Sequence, residues 1–291
     1  VKVLNDNKLG GQLGYDPSIH RGGITKYGLE INTKRYEAWG KIGYVNQDKP
    51  YQSVGLQVSG SRHDQEAYFG LNDYDARQNT FYSNLIYQSI IGNTAHKFKT
   101  GLSFLYDDYD EKLSIGRYER TEIVPGAFVE YTYDYLEKFT LIAGLRADYH
   151  NLFGAFITPR LHTRYAVTES TTLRLSAGRG QRTANVFAEN ISLFASSRTM
   201  KTSNLQSKEA YGFEPEKAWN FGVNFTQEFR LNYRPSTLMI DYYRTEFQNQ
   251  VVVDVDTPGE VTFLGLNGKS YSNSFQIELH SELARRFDML I

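Results

Sequence analysis

Apolar and polar positions alternate strictly along most of this chain, and a period of two is what a strand lying between two different solvents requires. From Phe139 to His150, Phe139, Leu141, Ala143, Leu145, Ala147 and Tyr149 share one face. Thr140, Gly144, Arg146, Asp148 and His150 fall on the other, with Ile142 the exception. Leu173, Leu175 and Ala177 alternate with Arg174, Ser176 and Gly178, as do Trp219, Phe221, Val223 and Phe225 with Asn220, Gly222, Asn224 and Thr226. Further runs read Val54/Leu56/Val58, Phe81/Leu85/Tyr87, Phe98/Leu102/Phe104/Tyr106, Val129/Tyr131/Tyr133, Leu238/Ile240/Tyr242 and Phe275/Ile277/Leu279. The pattern predicts about twelve strands. Helical spacing is not sustained and no Pro- or Ser-rich linker divides the chain, so a single all-β architecture is expected throughout residues 1–291, without a separate second domain.

The connections alternate in length. Short ones are expected at Thr33 to Arg35, Gly92 to Ala95, Tyr135 to Lys138, Thr168 to Thr171, Leu231 to Ser236 and Ala284 to Arg286. Those between them are expected at Gln47 to Tyr51, Gln65 to Gln78, Asp108 to Arg117, Asn151 to Ala155, Arg182 to Lys217 and Asn249 to Lys269, and most are longer. Short periplasmic turns and long extracellular loops are the habit of outer-membrane barrels, so the pattern also orients the chain.

Composition narrows the choice between membrane and water. Aromatic residues are 14% of the chain, 22 Tyr and 18 Phe against 2 Trp, while the hydrophobic fraction is only 40% and mean hydropathy is negative. A transmembrane barrel needs apolar residues on its lipid face alone and gathers Tyr and Phe into girdles at both interfaces. No stretch approaches the roughly 18 consecutive apolar residues of a membrane-spanning helix, so any crossing is made by strands. A large soluble sandwich or propeller also has many strands. Tyr and Phe near strand ends, charged residues at mid-strand on alternate faces and the lack of a blade-length repeat point instead to the membrane. Cysteine is absent, which excludes disulfides, thiolate metal sites and cysteine nucleophiles. A formal net charge of −1 provides no basic field for nucleic acid.

Several strings resemble the barrel of TonB-dependent receptors. They are Thr158 to Tyr165 (TPRLHTRY), Thr171 to Asn190 (TTLRLSAGRGQRTANVFAEN), Pro215 to Phe229 (PEKAWNFGVNFTQEF), Phe247 to Asp256 (FQNQVVVDVD) and Asn267 to Leu279 (NGKSYSNSFQIEL), which together make up about a quarter of the chain, in the family's order. The resemblance implies a barrel of about 22 strands with a plug in its lumen. It further implies a periplasmic box that contacts the TonB protein, uptake driven by the inner-membrane proton gradient, and residence in the outer membrane of a Gram-negative bacterium. Solutes of such receptors include ferric siderophores and cobalamin. The chain starts at Val1 without a Met or a leader and stops at Ile291 inside a strand-like pattern. It is therefore expected to be an internal, partial barrel, without plug, box or closing strands.

Candidate chemistry lies mostly in the longest loop. Arg182, Asn185, Phe187, Glu189, Asn190, Phe194, Arg198 and Tyr211 mix aromatic and polar groups in a way suited to binding a small molecule or a metal chelate from outside. Arg179, Gly180, Gln181 and Arg182 open that loop and could attract an anion, although GRGQR lacks the Lys-Ser/Thr of a phosphate loop and reads equally as a strand end. Asp107, Asp108, Asp110 and Glu111 offer hard oxygens for calcium, the only cofactor suggested, but without the spacing of a calcium loop. His63, His96, His150, His162 and His280 are scattered. A barrel enzyme would need Ser176 beside His162 or Asp148, with no G-x-S-x-G motif in support. A passive porin or adhesin explains the alternation but not the family strings.

Overall fold

A computed structural model describes residues 1–202, 210–266 and 268–291. Asn267 of the last resembling string and residues 203–209 of the longest loop lie outside them. Sixteen strands are described. The first nine are β1 (Lys2–Gly11), β2 (Gly28–Val45), β3 (Ser53–Phe69), β4 (Asn72–Ile91), β5 (Asn93–Leu113), β6 (Gly116–Tyr135), β7 (Phe139–His150), β8 (Gly154–Ala166) and β9 (Thr171–Arg182). There follow β10 (Thr199–Thr202), β11 (Glu216–Leu231), β12 (Arg234–Asn249), β13 (Val251–Asp254), β14 (Glu260–Gly265), β15 (Ser270–Ala284) and β16 (Phe287–Leu290).

Thirteen of these form one sheet in the order β1-β2-β3-β4-β5-β6-β7-β8-β9-β11-β12-β15-β16, antiparallel throughout, with β1 and β16 as its two edges. A small second sheet, β10-β14-β13, is built from the two longest loops. The alternation sets the faces as expected. Leu145 and Leu175 are 49% and 44% exposed on the outer face, whereas Arg146 points inward and donates to Ser103 at 2.7 Å. No second sheet covers the apolar outer face among the described residues, which a soluble sandwich would require.

Four expected connections differ. β2 runs unbroken through 33–35, and the turn at 46–52 lies at the same end as the short turns at 92, 136–138, 167–170, 232–233 and 285–286. The expected loops at 65–78 and 108–117 are strand almost throughout, joined by tight hairpins at 70–71 and 114–115. β3 to β6 are 17 to 21 residues long, whereas a strand that crosses a membrane takes only about 9 to 11. Their outer ends carry polar and charged residues on both faces, the inward ones covered by the lid, so charges no longer signal a loop.

The packed hydrophobic core is accordingly not in the barrel wall. It gathers Ala67, Phe69 and Tyr74 from the β3–β4 tip, Leu113 and Tyr118 from the β5–β6 tip, and Val186, Phe187, Phe194, Tyr211, Val261 and Phe263 from the two long loops. The described residues of the longest loop, 183–202 and 210–215, thus fold inward as a lid, with a short helix at Val186–Glu189.

Candidate functional site

The lid is fastened to the wall by a buried polar network beneath its apolar core. Along β5 and β6 every second residue faces inward, which brings Tyr109 and Glu111 beside Tyr118, Arg120 and Glu122. Arg120 donates to Glu122 at 2.7 Å and to the Tyr211 hydroxyl at 3.1 Å, and also to the Asn185 side chain. Its guanidinium lies 3.8 Å from the centre of the Tyr109 ring. Glu111 accepts from the Tyr74 hydroxyl at 2.7 Å and from the Tyr211 hydroxyl. Tyr211 sits in the left-handed region at φ 56°, a conformation that costs a side-chain-bearing residue on the order of 1 kcal/mol and persists only where surroundings enforce it.

These groups stand beyond the membrane-spanning length, and their titration reflects their burial. Burial, reinforced by the charge of Glu111, pushes Tyr74 and Tyr211 far above the ordinary phenol value. Burial and Asp107 push Tyr109 up to about 12. Burial would also push Glu122 up, but hydrogen bonds from His150 and Arg120 more than offset it and hold the carboxyl below its ordinary value. Arg120 gains more from Tyr211 and Glu122 than it loses to burial and stays charged.

Below the network the wall is hollowed into a cavity of about 740 Å³, lined by Asp107, Glu122, Arg146, Asp148, His150 and Arg160 among others. That volume lies within the range of small-molecule sites. Three of its four arginines are matched by acids: Arg146 with Asp148, Arg160 with Glu130 and Arg182 with Glu189. The recess is therefore polar but close to neutral.

The expected ligand residues are brought together by the lid, in other roles. Phe187 is wholly buried against Tyr118, Tyr211 and Phe263. Arg182 holds Glu189 at 2.8 Å and Glu216 at 2.6 Å. Asn190 donates to the Val186 carbonyl at 2.8 Å, and Arg198 to those of Val255 at 2.6 Å and Glu260 at 3.1 Å. Asn185 and Tyr211 belong to the network. The calcium candidates are separated by strand alternation, Asp107 and Glu111 facing inward and Asp108 and Asp110 outward, so the four do not converge. Among the described residues no group of three His, Asp or Glu converges as a metal would require. Ser176 does lie opposite His162, but Asp148 is taken by Arg146. Arg120 and Glu122 were not singled out from sequence, and His150 was named only among the scattered histidines. The signal for the first two was present as charged residues two apart on a Tyr-rich strand.

The model of the family described as TonB dependent receptor-like, β-barrel, matches residues 3–284. The chain belongs to that family. In the hemophore receptor HasR of Serratia marcescens, in complex with its hemophore HasA and heme, the likeness has a TM-score of 0.65 at 14% identity, covering 88% of this chain and 49% of that one. The copper transporter OprC gives 0.64 at 14% identity, covering 97% and 50%. The siderophore receptor PirA of Pseudomonas aeruginosa gives 0.56 at 12%, covering 98% and 55%. At such identities the likeness is one of fold. No curated protein matches the chain in sequence. This TonB-dependent receptor barrel thus spans about half the length of the solved relatives.

Proposed function

We propose that the complete receptor sits in the outer membrane of a Gram-negative bacterium, captures a scarce solute at its outer face and imports it with energy delivered through the TonB protein. The chain supplies a continuous stretch of wall of the barrel domain, and the lid with the recess beneath it forms part of the capture site. The observation that carries the reading is a lid with its own packed core, seated over a polar cavity of about 740 Å³ in a barrel wall. A lid held in this way obstructs free passage on its side of the lumen, as suits a gated receptor better than an open pore. The solute class we favour is a compact polar chelate, such as a ferric siderophore or cobalamin. The names of solved proteins with this fold, a hemophore receptor, a siderophore receptor and a copper transporter, agree with that class.

Replacing 184–213 by a short linker in the complete receptor tests the reading. Solute binding to whole cells is expected to fall while the barrel still assembles, because a loop on a rigid wall can change without disturbing strand pairing. Unchanged binding would overturn the assignment of the site.

A further inference from the structure

The ladder between β8 and β9 climbs from Ala166 opposite Thr172 to Arg160 opposite Gly178 and stops, although β8 begins at Gly154 and β9 continues to Arg182. The residue at the break is Pro159, which has no N–H to give to a ladder. β8 keeps its pairing with β7 over the whole stretch, and β9 keeps its pairing with β11 as far as Arg182, so only the seam between β8 and β9 is open. On one lip the Ile157 carbonyl is met by a side chain, the Arg179 guanidinium at 3.5 Å. On the other, a Cβ added to Gly180 would meet nothing within 4 Å.

The cavity in the wall runs into this seam. Its lining takes Thr158 and Arg160, on the lumen face, together with Pro159, Arg179 and Gln181 along the unpaired stretch. Outside, Ile157 is 51% exposed, and Trp219, opposite Arg179, stacks on Phe221 at 6.1 Å. An arginine among aliphatic and aromatic side chains near the outer end of a spanning strand lies at headgroup depth. Arg146, Arg160 and Arg182 at the cavity are each paired with carboxylates. Arg179 has no carboxylate partner among the described residues; it bonds Gln248 at 3.1 Å and the Ile157 carbonyl.

We propose that the β8–β9 seam is a lateral cleft that binds the phosphorylated headgroup of an outer-leaflet lipid, with Arg179 as the anion contact and the acyl chain lying along Ile157. A phosphate offers the guanidinium a charge-assisted, two-pronged contact in place of a neutral carbonyl. The proposal rests on the outer-membrane placement above.

Native mass spectrometry of the complete receptor, extracted from phosphatidylcholine vesicles containing a minor share of phosphatidylglycerol, tests it. The wild type is expected to retain phosphatidylglycerol selectively. Arg179→Gln should weaken retention about tenfold, the worth of one charge-assisted contact, and Arg62→Gln on the outer face of β3 should not. Pro159→Thr, which restores the missing donor and lets the ladder close, should weaken it too. Equal retention by all variants, or equal retention of phosphatidylcholine, would overturn the proposal, as would loss of the lipid to millimolar inorganic phosphate, which would make the cleft a free-anion site. Heat-dependent gel mobility reads barrel folding separately. A chain that forms no barrel fails the membrane reading, whereas a folded barrel without lipid selectivity fails this proposal alone.

Discussion

Phe187 distinguishes most sharply between a residue that touches a ligand and one that holds the lid, because its composition suits either role while its position suits one. Its ring has no exposure and lies 5.0 to 5.4 Å from those of Tyr118, Tyr211 and Phe263. Truncating such a ring to alanine removes the transfer energy and leaves a cavity, at a cost of about 3 to 5 kcal/mol. The loss falls on the lid alone, since no wall strand in the membrane depends on that core. At about 1.4 kcal/mol per tenfold, the open population of the lid should rise about 100- to 4,000-fold. Amide exchange over Val186–Glu189 in the complete receptor should accelerate by that factor in Phe187→Ala, with Phe187→Leu in between, while barrel strands keep their protection. Unchanged exchange in the lid together with a lowered ligand affinity would refute the reasoning and return Phe187 to the ligand surface.

Other outcomes follow from the network and the wall. Arg120→Met leaves Glu122 buried without its guanidinium and should destabilise the lid by about 3 to 5 kcal/mol, read as the same exchange acceleration. Glu122 is held below its ordinary 4.5 by His150 and Arg120 against the push of burial, so its contribution to the lid is fully present above pH 4.5 and is lost as pH falls through the depressed value. Lid protection should therefore drop on acidification below pH 4.5, and Glu122→Gln should lower protection at neutral pH and flatten the acid drop. Leu175 faces lipid and Ser176 the lumen, and an arginine facing lipid at the midplane costs about 2 to 4 kcal/mol. Leu175→Arg should impair assembly far more than Ser176→Arg, and equal folded yields would contradict the alternation.

The wall was legible because lipid on one side and water on the other impose period two on each spanning strand, as in Phe139 to His150. Legibility ended where that contrast ends. Asp107 to Glu111 read as a strand end with a loop beyond it, yet both faces of β5 are polar there because the strand has risen out of the membrane. Turn chemistry was readable at 232–233, where Asn232 and Tyr233 at φ 50° and 65° make a tight hairpin, but 33–35 carries polar residues without any turn. The lid was visible as a long loop rich in aromatic and polar residues. Its packing was not, because Phe187 and Tyr211 find their partners on β5, β6 and β14, and no local pattern reports pairings across 91 or 100 residues such as Arg120 with Tyr211 or Glu111 with Tyr211. The break at Pro159 was within reach of sequence, since proline inside a strand marks an edge or a gap.

The central claim is energised import through a gated barrel, and uptake in de-energised cells tests it most directly. With the complete receptor present, collapse of the proton gradient should abolish accumulation of the solute while its binding to the cell surface persists. Uptake continuing at full rate without the gradient would contradict the account and leave a passive pore in its place.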